Sequence, residues 1–237
     1  MFADRLNRAR AVMADQNVDV MVLSVGADLS YFCGYEAMPL ERLTLLVVPR
    51  DGDASLIVPF LEAPRVVERV GVFEVVSWRD GDDPIGLAAD LIGPAGRVAV
   101  GDQTWAGFLV DLVAELPGTR FSRASEVTAP IRSVKDTAEV EALRSAGSAV
   151  DRIAAEIQAG EIPLVGRTEA EVSAQIGRRI VEEGHQKVNF AIVASGPNAA
   201  SPHHDAGDRV IRAGEAVLFD FGGTMADADG VGYCSDI

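Results

Sequence analysis

The residues of this chain that could do chemistry gather near its C-terminal end. They are His203 in Pro202-His203-His204, Asp220 closing Val217-Leu218-Phe219-Asp220, and Asp236 in Gly232-Tyr233-Cys234-Ser235-Asp236-Ile237. Asp220 ends an apolar run that reads as a buried strand, where a carboxylate loses hydration unless a cation or good donors compensate it. Asp229-Gly230 is a turn signal, so Ala216 to Met225 and Val231 to Ile237 predict an antiparallel hairpin with Ala226 to Gly230 as its connection. That register sets Asp236 opposite Asp220. Directly opposed residues have Cβ atoms roughly 5 Å apart, and two ionised carboxylates there repel by about 3 kcal/mol at an effective dielectric near 20. A divalent cation turns this repulsion into attraction, and two-metal hydrolases need carboxylates that reach ions about 3.5 to 4 Å apart. Taken singly, either aspartate also suits a solvent-facing strand end, and His203 a loop position with no task. The pair points to metal.

The order and spacing of these segments resemble the pita-bread metallopeptidases, specifically the Xaa-Pro dipeptidase and aminopeptidase P group. The resemblance rests on His203, the seventeen-residue step to Asp220, the Asp220-Phe221-Gly222 strand end and the segment 232–237. Ile192-Val193-Ala194-Ser195-Gly196-Pro197-Asn198 is similar to the loop before that family's active-site histidine. Ile131-Arg132-Ser133-Val134-Lys135-Asp136, followed by Glu139, resembles the junction where its catalytic domain begins.

The resemblance implies that Asp220 binds one metal, that Asp236 bridges two, and that His203 lies outside the metal shell and hydrogen-bonds the substrate carbonyl or the tetrahedral intermediate. An imidazole can donate to developing negative charge on oxygen, while water acidified by two cations supplies hydroxide near neutral pH. The implied cofactors are two divalent ions, with Mn²⁺ the first choice and Co²⁺ or Zn²⁺ the alternatives, because a carboxylate-rich site with one histidine favours hard or borderline ions. His204 receives no role, since adjacent side chains point in different directions. Ala226 to Gly230 reads as an insertion at the hairpin tip, with Asp227 and Asp229 as solvated turn residues.

In the family, the remaining ligands, one histidine and two glutamates, follow the second aspartate. His185, His203 and His204 all precede Asp220. The resemblance therefore implies a C-terminally incomplete peptidase, either a piece of a longer enzyme or a chain that has lost catalysis, and one inactive by itself. Three functions stay open: a metal-dependent Xaa-Pro peptidase, dipeptidase-like or aminopeptidase-like; a creatinase-like hydrolase without metal, in which the paired carboxylates would have no purpose; and an inactive binding or dimerisation module.

Alternating patterns predict the elements that position these residues. A helix from Phe2 to Asp15 sets Phe2, Leu6, Ala9 and Met13 on one face. Strands are expected at Val18 to Leu23, Leu43 to Val48, Ser55 to Val58, Phe73 to Val76 and Arg97 to Val100. Helices are expected at Leu61 to Arg69, Pro84 to Leu91 and Thr104 to Leu116, giving an α/β layer with a mixed sheet and no Gly-rich phosphate loop. By resemblance this is the creatinase-type N-terminal domain, which covers the active site and helps form a homodimer. Leu29 to Tyr35 is either its aromatic-rich turn toward the cleft or core packing.

Two long helices follow, Asp136 to Ala159 and one opened by the capping box Thr168-Glu169-Ala170-Glu171, then a strand from Phe190 to Ala194. The expected fold is an α/β creatinase-type domain over residues 1–133, then the first half of an α+β pita-bread catalytic domain over 134–237. Without its second half, that domain would leave apolar surface exposed, so poor solubility or obligatory association is expected of the isolated chain.

A net charge of -15 argues against nonspecific binding to nucleic acid or to an anionic membrane. The partners expected instead are proline-containing peptides. Cys33 and Cys234 form no metal or redox spacing, and Asp4, Arg5, Arg8 and Arg10 make the N-terminus an amphipathic helix rather than a signal peptide, so a cytoplasmic protein is expected.

Overall fold

Strand β1 (Val20–Leu23) is buried along its whole length, and its alternate residues feed two different cores. Met21 and Leu23 pack with Leu6, Ala9, Met13 and Phe32, whereas Val20 and Val22 pack with Trp78, Ala88, Ile92 and Leu112. The period of two along a strand explains the split, and burial on both faces explains why the run is uniformly apolar. The computed structural model describes residues 1–237 and divides them into two units, Met1–Lys135 and Asp136–Ile237.

In the first unit, β1 pairs antiparallel with β2 (Leu45–Pro49), which pairs antiparallel with β3 (Ala54–Pro59). Parallel pairing adds β4 (Phe73–Trp78) beyond β3, and β5 (Arg97–Val100) and β6 (Arg120–Arg123) on the other side of β1. The order β4-β3-β2-β1-β5-β6 is a mixed sheet. Helices α1 (Phe2–Gln16), α2 (Ala27–Cys33) and α5 (Ser125–Arg132) contribute to one core, and α3 (Pro84–Ile92) and α4 (Ala106–Glu115) to the other.

One expectation changes here, and one left open is settled as core packing. The helix expected at Leu61 to Arg69 is only a 3-10 turn, Ala63–Arg65, because Pro64 withholds an N–H and disfavours helical backbone at the residue before it. Leu61 and Val67, within the expected helix, are exposed. The segment at Leu29 to Tyr35 is mostly helix, ended by Gly34 in left-handed conformation, and Tyr31 and Phe32 are buried edge to face in the core.

The second unit is a three-stranded antiparallel sheet, β7 (Lys187–Ser195), β8 (Val217–Ala226) and β9 (Gly232–Cys234), in that order. Helices α6 (Thr137–Ala159) and α7 (Glu169–Glu182) open with complete capping boxes, Asp136 with Glu139 and Thr168 with Glu171. Val150, Ile153, Val172, Ile176 and Ile180 from these helices meet Val193 and Phe221 of the sheet, with Val217 and Phe219 packed against the same cluster. The intervening residues of β8, Leu218 and Asp220, therefore belong to the opposite face. No helix of the chain is long and apolar enough to cross a membrane.

Candidate active site

The hairpin that carries both aspartates closes through three loop residues rather than five. Backbone bonds Asp227 N–H to Val231 O (2.9 Å) and Gly230 N–H to Asp227 O (3.1 Å) make a tight turn over Ala228, Asp229 and Gly230. Gly230 adopts φ 84°, the left-handed position that a three-residue hairpin loop assigns to glycine. The Asp227 carboxylate accepts from the N–H groups of Asp229 and Val231, so it builds the turn.

This geometry corrects the register. The pairs Met225↔Tyr233 and Ala226↔Gly232 continue through Ser235 N–H to Gly223 O (2.9 Å) and the reciprocal bonds between Phe221 and Ile237 (3.0 and 3.2 Å). Asp236 therefore lies opposite Gly222, not opposite Asp220. The slip is by two residues, which preserves the face, so Asp220 and Asp236 remain on one side of the sheet as diagonal neighbours. Diagonal Cβ atoms stand about 7 Å apart, where two carboxylates repel by about 2 kcal/mol at an effective dielectric of 20. Asp220 is half-buried and Asp236 exposed.

Strand β9 is held at its middle residue and just past its end. The Tyr233 hydroxyl donates to the buried Glu139 carboxylate at 3.4 Å, at the start of α6. Buried His185 stands 2.9 Å from the Ser235 hydroxyl and, through Nδ1, 3.2 Å from the Ile180 carbonyl at the end of α7. Burial pushes the His185 pKa down, so the ring is neutral: Nδ1–H donates to Ile180, Nε2 accepts from Ser235, and Ser235 in turn accepts from the Gly223 N–H at 3.2 Å. These contacts fix Tyr233 and Ser235, the segment that leads into Asp236.

Gly222 lies between the two aspartates on their face, and a Cβ there would overlap the Ser235 carbonyl and come within 3.2 Å of the Asp236 Cα. The Gly222→Ala variant is therefore expected to lose about 1–3 kcal/mol by overpacking, read as a lower denaturation midpoint. An unchanged midpoint would contradict the close approach.

Neither the Asp220 nor the Asp236 carboxylate has a hydrogen-bond or ion-pair partner within the protein. Two free carboxylates on one sheet face are oxygen donors of the type that hard divalent ions take, so these residues fit part of a metal site. They are not a complete one, since no group of three or more His, Cys, Asp or Glu side chains is poised for an ion. His203 is exposed at φ 57° and makes no hydrogen bond; no contact joins it to either aspartate.

The residues that sequence reasoning missed surround Glu169, the first residue of α7, which is fully buried. Its Oε1 accepts from the Ser195 N–H (2.7 Å), the Ser195 hydroxyl (2.7 Å) and the Asn198 amide (3.1 Å), while Oε2 accepts from Asn198 (3.1 Å) and His204 Nε2 (2.8 Å). Burial alone would push the Glu169 pKa up, but the His204, Ser195 and Asn198 donors outweigh it and hold the carboxyl down to about 2. Arg209 donates to the Ser195 hydroxyl at 2.6 Å and forms a bidentate pair with Glu215 at 2.6 and 2.7 Å. The available signal was the polar cluster Ser195-Gly196-Pro197-Asn198 after an apolar strand, but its partner on α7 is distant in sequence.

The first unit also holds a cavity of about 260 Å³ at the carboxyl ends of β1 and β5, lined in part by Asp28, Asp102, Gln103 and Arg132. None of the three candidate residues lines it, and Asp28 and Asp102 are already bonded to Thr128, Arg132, Arg123 and Ser125.

Residues 5–134, more than half of the chain, match the creatinase/prolidase N-terminal domain, so the chain belongs to that family, and residues 141–237 match metallopeptidase family M24. Among curated proteins, it is 40% identical over 240 residues to the probable dipeptidase PepE of Mycobacterium bovis. The match covers 100% of this chain and 62% of that protein.

Among solved structures, the dipeptidase PepE of Mycobacterium ulcerans superposes with a TM-score of 0.87 at 40% identity, over 99% of this chain and 62% of its own. A recombinant prolidase from Thermococcus sibiricus gives a TM-score of 0.87 at 29% identity, over 100% of this chain and 64% of its own. The chain thus spans less than two thirds of the length of these relatives. Its fold is an α/β creatinase-type domain with a mixed sheet followed by the first half of an α+β pita-bread domain.

Proposed function

We propose that the chain belongs to a metal-dependent Xaa-Pro peptidase, dipeptidase-like, that hydrolyses the peptide bond before proline, with residues 134–237 as the opening part of its catalytic domain. The observation that carries this reading is the pair of unpartnered carboxylates, Asp220 and Asp236, on one face of a hairpin inside the segment that matches metallopeptidase family M24. The same pair counts against a metal-independent hydrolase, in which two free carboxylates on one face would repel without purpose.

Asp220 and Asp236 would hold two divalent ions, with Asp236 serving both; Mn²⁺ is favoured and Co²⁺ or Zn²⁺ are alternatives. When bound, such ions supply Lewis-acid polarisation and charge neutralisation, and they make a hydrolytic water more acidic. His203 donates to the oxygen on which negative charge develops at the scissile carbonyl. For residues 1–237 alone, two carboxylates without further ligands predict weak cation binding and no peptidase activity. A cytoplasmic homodimer acting on short proline-containing peptides completes the reading.

The test is Mn²⁺-dependent cleavage of Xaa-Pro dipeptides by the full-length gene product, with His203→Ala as control. The expected result is activity that chelation removes and added Mn²⁺ restores, reduced roughly 10²-fold in His203→Ala, as for loss of one donor to a developing oxyanion. Cleavage that survives chelation, or an indifferent His203→Ala, would sink the assignment.

A further inference from the structure

His203 is a poor residue to leave unsupported. Its backbone lies in the left-handed region at φ 57°, a conformation that costs a residue with a side chain and persists only where the surroundings impose it. The surroundings that do so centre on Glu169. Asn198 and His204 bond to the same carboxylate, so the arc 199–203 is anchored at both flanks on one fully buried group, with Pro202 restricting the backbone just before His203.

Glu169 is itself fully buried and held by several donors. It sits at the first position of α7, directly after the Thr168 cap, and holds the Ser195 N–H and hydroxyl as well. Ser195 is backed by the Arg209–Glu215 pair, which approaches so closely that a Cβ at Gly196 would fall within 2.6 Å of Arg209 Nη2 and Glu215 Oε2. An ionised carboxylate only accepts, so His204 Nε2 carries the proton in its contact with Glu169. The two adjacent histidines therefore differ: His204 points inward to Glu169, and His203 is exposed.

We propose that His204, through its bond to Glu169, is a positioning residue that imposes the backbone conformation of His203 and so aims the His203 imidazole. A donor to a developing oxyanion works only when it is already in place, and a displacement of about 1 Å can cost about 10²-fold in rate. Substrate binding elsewhere in the site does not depend on that aim. The effect should therefore fall on kcat rather than on KM.

The catalytic half of this proposal rests on the role given to His203 above; the structural half does not. The experiment therefore has two arms, both on the full-length gene product as wild type, His204→Ala and His204→Gln, the last retaining an N–H donor at similar reach. In hydrogen exchange, amides of residues 199–205 are expected to exchange at least roughly tenfold faster in His204→Ala, and near the wild-type rate in His204→Gln. In turnover of an Xaa-Pro dipeptide, His204→Ala is expected to lose roughly 10- to 100-fold in kcat with KM within about threefold, and His204→Gln to recover most of it.

Unchanged exchange in His204→Ala overturns the proposal. Faster exchange with unchanged kcat also overturns it, because the tether would then have no bearing on His203's task. A wild type that cleaves no Xaa-Pro peptide, together with the expected exchange pattern, sinks the peptidase reading and supports the tether.

Discussion

Replacing Asp236 by alanine in the full-length gene product is expected to lower kcat/KM on an Xaa-Pro dipeptide by about 10³-fold or more, even at saturating Mn²⁺. The size follows from the role. Charge stabilisation by bound cations contributes several kcal/mol to a hydrolytic transition state, and each 1.36 kcal/mol corresponds to about tenfold in rate. In the proposed site Asp236 would serve two ions and Asp220 one, so Asp236→Ala should cost more than Asp220→Ala. Asp236→Asn keeps the shape and loses the charge, and should behave like Asp236→Ala. The fold should barely respond to any of these variants, because Asp236 is exposed and neither carboxylate bonds to the protein. Folding should even gain slightly, since a diagonal carboxylate pair repels by about 2 kcal/mol at most before screening. Steady-state kinetics with denaturant unfolding separates the two effects. A kcat/KM within tenfold of wild type would contradict the ligand assignment.

Replacing Glu169 by alanine is expected to do the opposite: a large loss of stability, about 2–4 kcal/mol. The carboxylate satisfies the buried Ser195 N–H, the Ser195 hydroxyl, the Asn198 amide and His204, and removing it leaves these donors without partners at the desolvation cost of buried polar groups. The sign of the pH dependence follows from the depressed pKa. The folded-state value of about 2 lies below the ordinary value of 4.5, so the ionised carboxylate stabilises the fold fully above about 4.5. That contribution is lost progressively as pH falls from 4.5 toward 2. The gap between wild type and Glu169→Ala should therefore be wide at neutral pH and narrow below about pH 3. Denaturant unfolding at several pH values measures it, and a gap that widens on acidification would contradict the network.

Local chemistry made much of this fold legible in the sequence. The α1 face, with Phe2, Leu6, Ala9 and Met13, is buried as its spacing predicts, and the capping box at Thr168 and Glu171 forms as written. Residues whose conformation depends on a partner distant in sequence were not legible. The helix expected at Leu61 to Arg69 is cut to a 3-10 turn at Pro64, and β6 has no buried residue whose apolar character could have marked it. At the site, the parity of the hairpin could be read but its register could not. Nothing in Ala226 to Gly230 announces that the Asp227 side chain will tighten the turn to three loop residues. The slip kept Asp220 and Asp236 on one face because it was even. Glu169 was visible only as a helix-start residue, although in the structure it organises the whole loop that carries His203.

Asp220 and Asp236 are proposed to hold divalent ions together. Anomalous scattering at the manganese edge, from crystals of the full-length gene product grown with Mn²⁺, tests this directly. The expected result is anomalous density within about 2.0–2.6 Å of carboxylate oxygens from both Asp220 and Asp236, lost in Asp236→Ala. A fully occupied ion elsewhere, with both carboxylates bound only to water, would contradict the account.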